Sequence, residues 1–496
     1  MGLFVGDVFR ANAAAVPSRL AATLGDEQIT HAELERRGNR LAHVLRHRGV
    51  GRGDRLLSWT DTTLDVLPVY VACAKLGVAF APMNPRFSLA EASDLAAFAR
   101  AAALVSDGPR SDAAAEVAAS AGIPLLAEIG GGAGRVRGLD LEAVAALASD
   151  APVETPDLDE RDPQVLFFTS GSTGRPKGVL LSHRTNRLRA MVLPPVARTL
   201  CMFPLFHMAG YSMALNAWNV RGTITFVPTP TADAILREVE SRRIERLYCI
   251  PAVWARVLEA DRSRYRLDSL RCVDTGTSAT PPELIAALKE AFPGTTTAVH
   301  YGSTECGPAA ILTDEDVLRK PGSVGLPALG VELRTTDAGE LCVRSELLMS
   351  GYFDNPEASR EALRDGWYHT GDVASVDPEG YVWIVGRLRE IIRTGGETVA
   401  PVEVERALSD HPGIAEVAIV GLPDDHWGEL ICAVVVPRGD KVVALEELRA
   451  HLGGRLAPHK HPRRLEVVSE LPRTAATRQV QRALLVERLR SKPPVT

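Results

Sequence analysis

Residues 167–183 read FFTSGSTGRPKGVLLSH, and no other segment constrains the chain as tightly. A short apolar strand pattern over 165–168 runs into Thr169, Ser170, Gly171, Ser172, Thr173 and Gly174, with Lys177 close behind. Glycines let a backbone turn tightly and aim several N–H groups into one concavity. Hydroxyls add donors and the lysine adds a full positive charge, a combination that suits a polyphosphate. This is not the common P-loop, in which Gly-Lys-Ser/Thr opens a helix; here Lys177 stands between Pro176 and Gly178. A plain surface loop is the alternative, but such a loop has little reason to gather these residues directly after a buried strand pattern.

At 496 residues the chain exceeds one ordinary hydrophobic core, so two or more domains are expected. Its 46% apolar and 24% charged composition is that of a soluble globular protein. A net charge of −6, with arginines scattered among acids, implies no general affinity for nucleic acid. Seven cysteines without a CxxC pair read as reduced thiols, which places the protein in the cytoplasm. The N-terminus MGLFVGDVFR lacks signal-peptide order. The most apolar stretch, 64–81, is interrupted by Asp65 and Lys75 and reads as a buried helix and strand, not a membrane span.

Helical patterns such as 31–46 alternate with strand patterns such as 103–106 and 246–250, which argues for α/β layers with largely parallel sheets. The glycines of 130–134 read as a loop. Beyond Gly386 the pattern becomes a smaller α+β unit: a helix over 399–408, strands over 417–421 and 431–437, and a helix over 445–452. The expected fold is α/β, with a large N-terminal domain of layered subdomains over 1–387 and a small mobile α+β domain over 388–496.

The glycine- and hydroxyl-rich segment resembles the phosphate loop of the adenylate-forming superfamily, and further blocks match in order. These are residues 29–55, AKLGVAFAPMNPR (74–86), YGSTECG (301–307), GWYHTGD (366–372), GRLREIIRTGGETVAPVEVE (386–405) and LPRTAATRQVQR (471–482). The resemblance covers essentially the whole chain and implies activation of a carboxylate with ATP. That chemistry must hold a triphosphate in line, offset charge at the α-phosphate and bridge phosphates with Mg2+.

The resemblance implies roles for single residues. Thr169, Ser170, Gly171, Ser172, Thr173, Gly174 and Lys177 meet the β- and γ-phosphates. Glu305 is the magnesium ligand, a hard oxygen donor for a hard ion; a buried glutamate paired with arginine is the structural alternative. Tyr301, Gly302, Ser303 and Thr304 belong to the adenine and magnesium block. Asp372 accepts from the ribose hydroxyls, with Arg387 as its partner. Gly276, Thr277 and Ser278 line the acyl and adenine sites, the hydroxyls making the pocket more polar than usual. His207, in PLFHMAG, either gates the acyl pocket or contacts the carboxylate. No aspartate adjoins His207 to pair with an ammonium, so an α-amino acid is disfavoured. Arg389 marks the hinge, and Gly395 and Gly396 let the coenzyme A arm pass close to the backbone.

One block departs from the pattern. Family members carry a lysine there, just before an apolar–polar–basic triplet. Alignment on Val480-Gln481-Arg482 puts Gln479 at that position, whereas alignment on 471–474 puts Arg478 there. Losing one charged donor costs ~10²–10³ in rate. Gln479 is an engineered trap, or a natural residue with Arg478 supplying the charge, or a sign of different chemistry. The reading taken forward is an AMP-forming acid–thiol ligase for a fatty or aryl acid, using ATP, Mg2+ and coenzyme A, as a monomer or homodimer. Its rivals deliver the acyl group to a carrier protein or an amine, activate a non-carboxylate oxyacid, or bind nucleotide with little adenylation.

Overall fold

A computed structural model describes residues 2–130, 137–155, 157–169, 177–394, 397–424, 426–474 and 479–490. The chain divides into two compact units, Met1–Glu332 with Arg344–Tyr368, and Leu333–Val343 with His369–Thr496.

Among the described residues the first unit carries two large sheets. One has nine strands, in the order Leu326–Pro327, Gly307–Leu312, Thr296–Ser303, Cys272–Gly276, Arg246–Tyr248, Arg198–Cys201, Thr223–Phe226, Leu20–Leu24 and Glu27–Thr30. Its middle, from Thr296–Ser303 to Leu20–Leu24, is parallel; its margins are antiparallel. The other has eight, in the order Gly351–Tyr352, Lys177–Ser182, Pro163–Thr169, Ala79–Pro82, Arg55–Trp59, Ala103–Asp107, Leu125–Ile129 and Leu139–Asp140. Helices between parallel strands bury the sheet faces, as this connectivity requires. Helix His31–His47 begins where the Thr30 hydroxyl accepts from Glu33 N, 3.2 Å away. The apolar stretch over 64–81 forms helix Val66–Leu76, buried at every residue, and strand Ala79–Pro82. Lys75 is accommodated there by Glu35, 2.7 Å from its Nζ. No helix among the described residues is long and apolar enough to cross a membrane.

Strand Pro163–Thr169 runs antiparallel to Lys177–Ser182, with Thr169 opposite Lys177. Both ends of the phosphate-loop segment therefore sit at one end of the eight-stranded sheet. Ser170 to Gly174, Gly395, Gly396, Arg478 and the glycines from Gly131 to Gly134 lie outside the described residues.

The second unit holds most of a four-stranded sheet, in the order Val331–Thr335, Glu340–Ser345, Tyr368–Val376 and Val382–Arg387. A five-stranded sheet follows: Glu397–Val399, Ile392–Thr394, Gly428–Pro437 and Ile414–Asp424, with Arg464–Val467 parallel to Gly428–Pro437. Alternation along Gly428–Pro437 serves two cores. Ile431, Ala433 and Val435 pack with Val404, Leu408 and Leu448; Cys432 and Val434 pack with Leu471, Leu485 and Leu489. Two boundaries differ from expectation. The helix expected from 399 begins at Pro401, whose fixed φ suits a first turn, and Val399 ends a strand instead. The strand expected to reach 250 stops at Tyr248, because Ile250 precedes the helix opened by Pro251. Leu388 and Arg389 lie within the second unit, between its two sheets.

Candidate active site

Two constellations hold the residues singled out by sequence, one in each unit. In the first, Glu305 sits in the turn between strands Thr296–Ser303 and Gly307–Leu312. The Tyr352 hydroxyl donates to Glu305 Oε1 at 3.2 Å, and the Lys177 ammonium lies 4.7 Å from the centroid of the same tyrosine ring. Tyr352 also bonds Tyr368, which in turn bonds Ser303. Burial and the neighbouring Glu305 carboxylate push the Tyr352 hydroxyl well above its ordinary pKa, so it stays a donor. Tyrosine 352 thus gathers the end of the phosphate-loop segment and the candidate magnesium ligand around one ring.

The turn itself is held from below. Arg189, buried in helix His183–Val192, donates to the carbonyls of Leu347 (2.8 Å), Thr304 (2.9 Å) and Glu305 (3.0 Å). Met349 N adds a second donor to Glu305 O at 2.7 Å. Burial lowers Arg189 to about 10, which leaves it charged at neutral pH. Gly307 has φ +68°, and a Cβ there would stand 2.6 Å from Arg189 Nε; a Cβ on Gly302 would stand 2.1 Å from Gly307 O. Both glycines are required for the strand to fold back over the arginine. Nothing in its local sequence pattern marks Arg189 for this role.

His207 and Gly276 belong to the same unit. His207 caps helix Met208–Asn219, its Nδ1 accepting from Ala209 N at 3.2 Å, so the neutral ring carries its proton on Nε2. Burial draws its pKa down to about 4. From His207 a row of rings crosses the nine-stranded sheet: Phe203 at 5.8 Å, Tyr248 5.6 Å further on, then His300 5.5 Å beyond. Register places Tyr248 beside Asp274 and Gly276 beside His300, so these side chains share one face. Asp274, buried, is matched by Arg246 Nε at 3.1 Å. A Cβ on Gly276 would meet His300 O at 2.2 Å and the Tyr248 hydroxyl at 2.6 Å. Thr277, left-handed at φ +64°, turns the chain away from that contact, its hydroxyl donating to Gly276 O at 2.6 Å. Ser278 is exposed. Sequence reading missed Tyr248, Asp274 and His300; polar residues inside otherwise apolar strand patterns were the available signal.

In the second unit Asp372 faces Arg387 across strands Tyr368–Val376 and Val382–Arg387, with Arg387 Nε 2.8 Å from Asp372 Oδ1. The aspartate is buried and its backbone is fixed on several sides. Glu340 accepts from His369 Nδ1 (2.8 Å) and Gly371 N (3.1 Å); Thr370 Oγ1 accepts from Asp372 N (3.0 Å) and donates to Leu341 O (2.7 Å). Glu340, His369 and Cys342 cluster closely enough to suggest a metal site. However, Cys342 Sγ lies 3.4 and 3.9 Å from the two nitrogens of His369, which places the sulfur over the ring rather than along a ligand direction. Both Glu340 oxygens are already engaged by the His369–Gly371 segment.

Beyond Arg387 the chain turns, with Glu390 N and Ile391 N both donating to Arg387 O. Arg482 grips Glu390 (2.8 Å) and Glu405 (2.8 Å), which ties the end of the C-terminal block to the segment beside Arg389. Gln479 is exposed; its backbone pairs with Thr474, whose N donates to Gln479 O at 2.8 Å.

Lys177 on one largely parallel sheet and Glu305 on the other, both meeting Tyr352, suit a nucleotide-binding enzyme. The chain belongs to the AMP-binding enzyme family: that family's model matches residues 9–353, and the model of the AMP-binding enzyme C-terminal domain matches residues 403–478. A feruloyl-CoA synthase of Amycolatopsis sp is 34% identical over 93% of this chain and 94% of its own length. The indoleacetate–CoA ligase of Aromatoleum aromaticum is 33% identical over 92% and 93%. ATP-bound MatB from Rhodopseudomonas palustris superposes with a TM-score of 0.88, at 28% identity, over 99% of each chain. The protein is an acid–thiol ligase of the acyl-CoA synthetase class, with ATP and coenzyme A as substrates and a large N-terminal followed by a smaller C-terminal domain.

Proposed function

We propose that the protein converts an aromatic carboxylic acid to its coenzyme A thioester through an acyl-adenylate, and that the residues above divide the work. Residues 169–174 and Lys177 hold the polyphosphate, and Asp372 with Arg387 the ribose. Tyr301, Gly302, Ser303 and Thr304 border the adenine. Glu305, held by the tyrosine whose ring Lys177 also meets, would take a magnesium ion through a carboxylate oxygen, and that ion would offset charge on the phosphates. His207, with its proton on Nε2, gates the acyl pocket or donates to the carboxylate of the acid. The acid's carboxylate oxygen attacks the α-phosphorus as the bond to pyrophosphate breaks. The coenzyme A thiolate then attacks the acyl carbon and AMP departs. The domain boundary is placed at 387/388, with Arg389 as hinge, Gly395 and Gly396 beside the thiol arm, and Gln479 or Arg478 near the α-phosphate. We place the enzyme in the cytoplasm, as a monomer or homodimer.

The grouping of Lys177 and Glu305 around Tyr352 carries this reading, because a polyphosphate with its cation needs that pair together. The aromatic acid is favoured by the row of rings from His207 to His300 and by the feruloyl- and indoleacetate-activating relatives. The test is a panel of aryl, arylalkanoic and fatty acids assayed for ATP-dependent AMP release, with and without coenzyme A. Thioester formation restricted to aromatic acids is expected. AMP release that ignores coenzyme A would move the enzyme to the carrier- or amine-transferring rival.

A further inference from the structure

The face of the nine-stranded sheet beyond His207 ends in polar atoms that the fold leaves unused. His300 Nε2 is buried without a hydrogen-bond partner; the nearest carboxylate oxygen, on Asp274, is 3.8 Å away and already faces Arg246. The Tyr248 hydroxyl, on a ring 5.5 Å from His300, lies next to Gly276 and has no side-chain hydrogen bond to any of the described residues. An orphaned buried polar atom is costly, and a ligand group that satisfies it recovers that cost. Because Arg246 neutralises Asp274, the face offers hydrogen bonds rather than net charge, which excludes an ammonium and selects a neutral donor–acceptor. The rings leading to it, His207 and Phe203, set a flat approach.

We infer that Tyr248 and His300 form a polar subsite that recognises a hydroxyl on the ring of the acid, at the end remote from the carboxylate, and so make the enzyme selective for hydroxylated aromatic acids. Tyr248 and His300 bind the ring hydroxyl as acceptor and donor, and Gly276 leaves the room they need. This inference rests on the ligase reading above.

The test compares matched acids, cinnamic against 4-hydroxycinnamic and benzoic against 4-hydroxybenzoic, by kcat/KM for AMP release. The expected preference for the hydroxylated member is tenfold or more, as a site built around a hydroxyl strongly rejects its deoxy analogue. Tyr248→Phe, which keeps the ring, and His300→Leu should each bring the ratio to within about threefold of unity. His300→Gln, which keeps hydrogen-bonding capacity, should retain the preference. ATP affinity by calorimetry reports whether each variant is folded, and Tyr248→Phe alone decides if His300→Leu is not. A wild-type enzyme indifferent to the hydroxyl, or an unchanged ratio in Tyr248→Phe, overturns the subsite while leaving the ligase intact. Failure to activate any acid of either pair overturns the aromatic-acid reading and the subsite with it.

Discussion

The Tyr352 hydroxyl donates to Glu305 Oε1 at 3.2 Å while its ring lies 4.7 Å from the Lys177 ammonium. A cation and an anion from distant parts of the chain thus share one uncharged mediator. Removing the hydroxyl alone, with Tyr352→Phe, keeps the ring under Lys177 and frees Glu305 to rotate. A hydrogen bond to a charged group is worth about 1.5–3 kcal/mol, so adenylation should slow by at least about tenfold. Glu305→Gln should slow it further and raise the magnesium concentration needed for half-maximal rate. Pyrophosphate exchange measured across a magnesium titration checks both; a Tyr352→Phe enzyme with wild-type rate and magnesium dependence would remove Tyr352 from the site.

Asp372 is held by Arg387 and by a backbone that Glu340 and Thr370 fix in place. Its carboxylate is set before any nucleotide arrives. Asp372→Ala should therefore weaken ATP binding by roughly 1.5–3 kcal/mol, the worth of hydrogen bonds to a charged acceptor. Titration calorimetry on the folded variant reads this directly, and unchanged affinity removes the ribose assignment.

Much of this was legible in the sequence. The strand before the phosphate loop, the helix capped by Thr30 and the buried Val66–Leu76 helix follow from local pattern, which reports neighbours three or four residues away. Glu305, Asp372 and Lys177 came from the family blocks. Tyr352 and Arg189 did not, because each acts through partners distant in the chain: Arg189 donates to carbonyls more than a hundred positions away, and Tyr352 meets Glu305, 47 positions away, and Lys177 on the strand paired with its own. Tyr248, Asp274 and His300 meet only through parallel register, which no local spacing records. The ends at Tyr248 and Pro401 moved because one proline each decided the following helix.

His183 gives the first unit a dependence on acidity. Its ring is buried, its Nδ1 accepts from Val5 N at 3.3 Å, and burial lowers its pKa to about 4 from the ordinary 6.5. The unfolded chain takes up the proton first, so the stability this neutral ring permits is complete above about pH 6.5 and is lost as pH falls towards 4. One such group steepens the loss by at most about 1.4 kcal/mol per pH unit. Urea unfolding midpoints between pH 7 and 4.5 should fall for the wild type and fall less for His183→Gln. Parallel curves for the two proteins would assign the acid sensitivity elsewhere.

Gln479 is exposed and its N donates to Thr474 Oγ1, at a position where a lysine is expected by resemblance. Restoring the charge with Gln479→Lys should raise adenylation by up to ~10²-fold, the scale of one preorganised charged donor, with ATP affinity nearly unchanged. Pre-steady-state pyrophosphate release measures the step. An equal or slower rate in the variant would shift the role to Arg478.

Arg389 follows a strand that ends at Arg387 and precedes Glu390, which Arg482 holds at 2.8 Å. The segment is anchored on both sides, so under the proposed division at 387/388 a change of domain orientation falls on the few dihedrals around Arg389. Proline there fixes φ and removes an N–H, so Arg389→Pro should lock the two domains in one relation. Only the second half-reaction is proposed to need the turn. Acyl-AMP formation should therefore stay within a few-fold of wild type while thioester formation falls by at least about tenfold, as for other hinge substitutions that gate a step. If native adenylation proves too slow to follow, the comparison is made with lysine introduced at position 479 in both proteins. Single-turnover rates of the two steps, measured on the same preparation, separate the cases. Rates that fall together, or do not fall at all, would rule out Arg389 as the pivot between the two half-reactions.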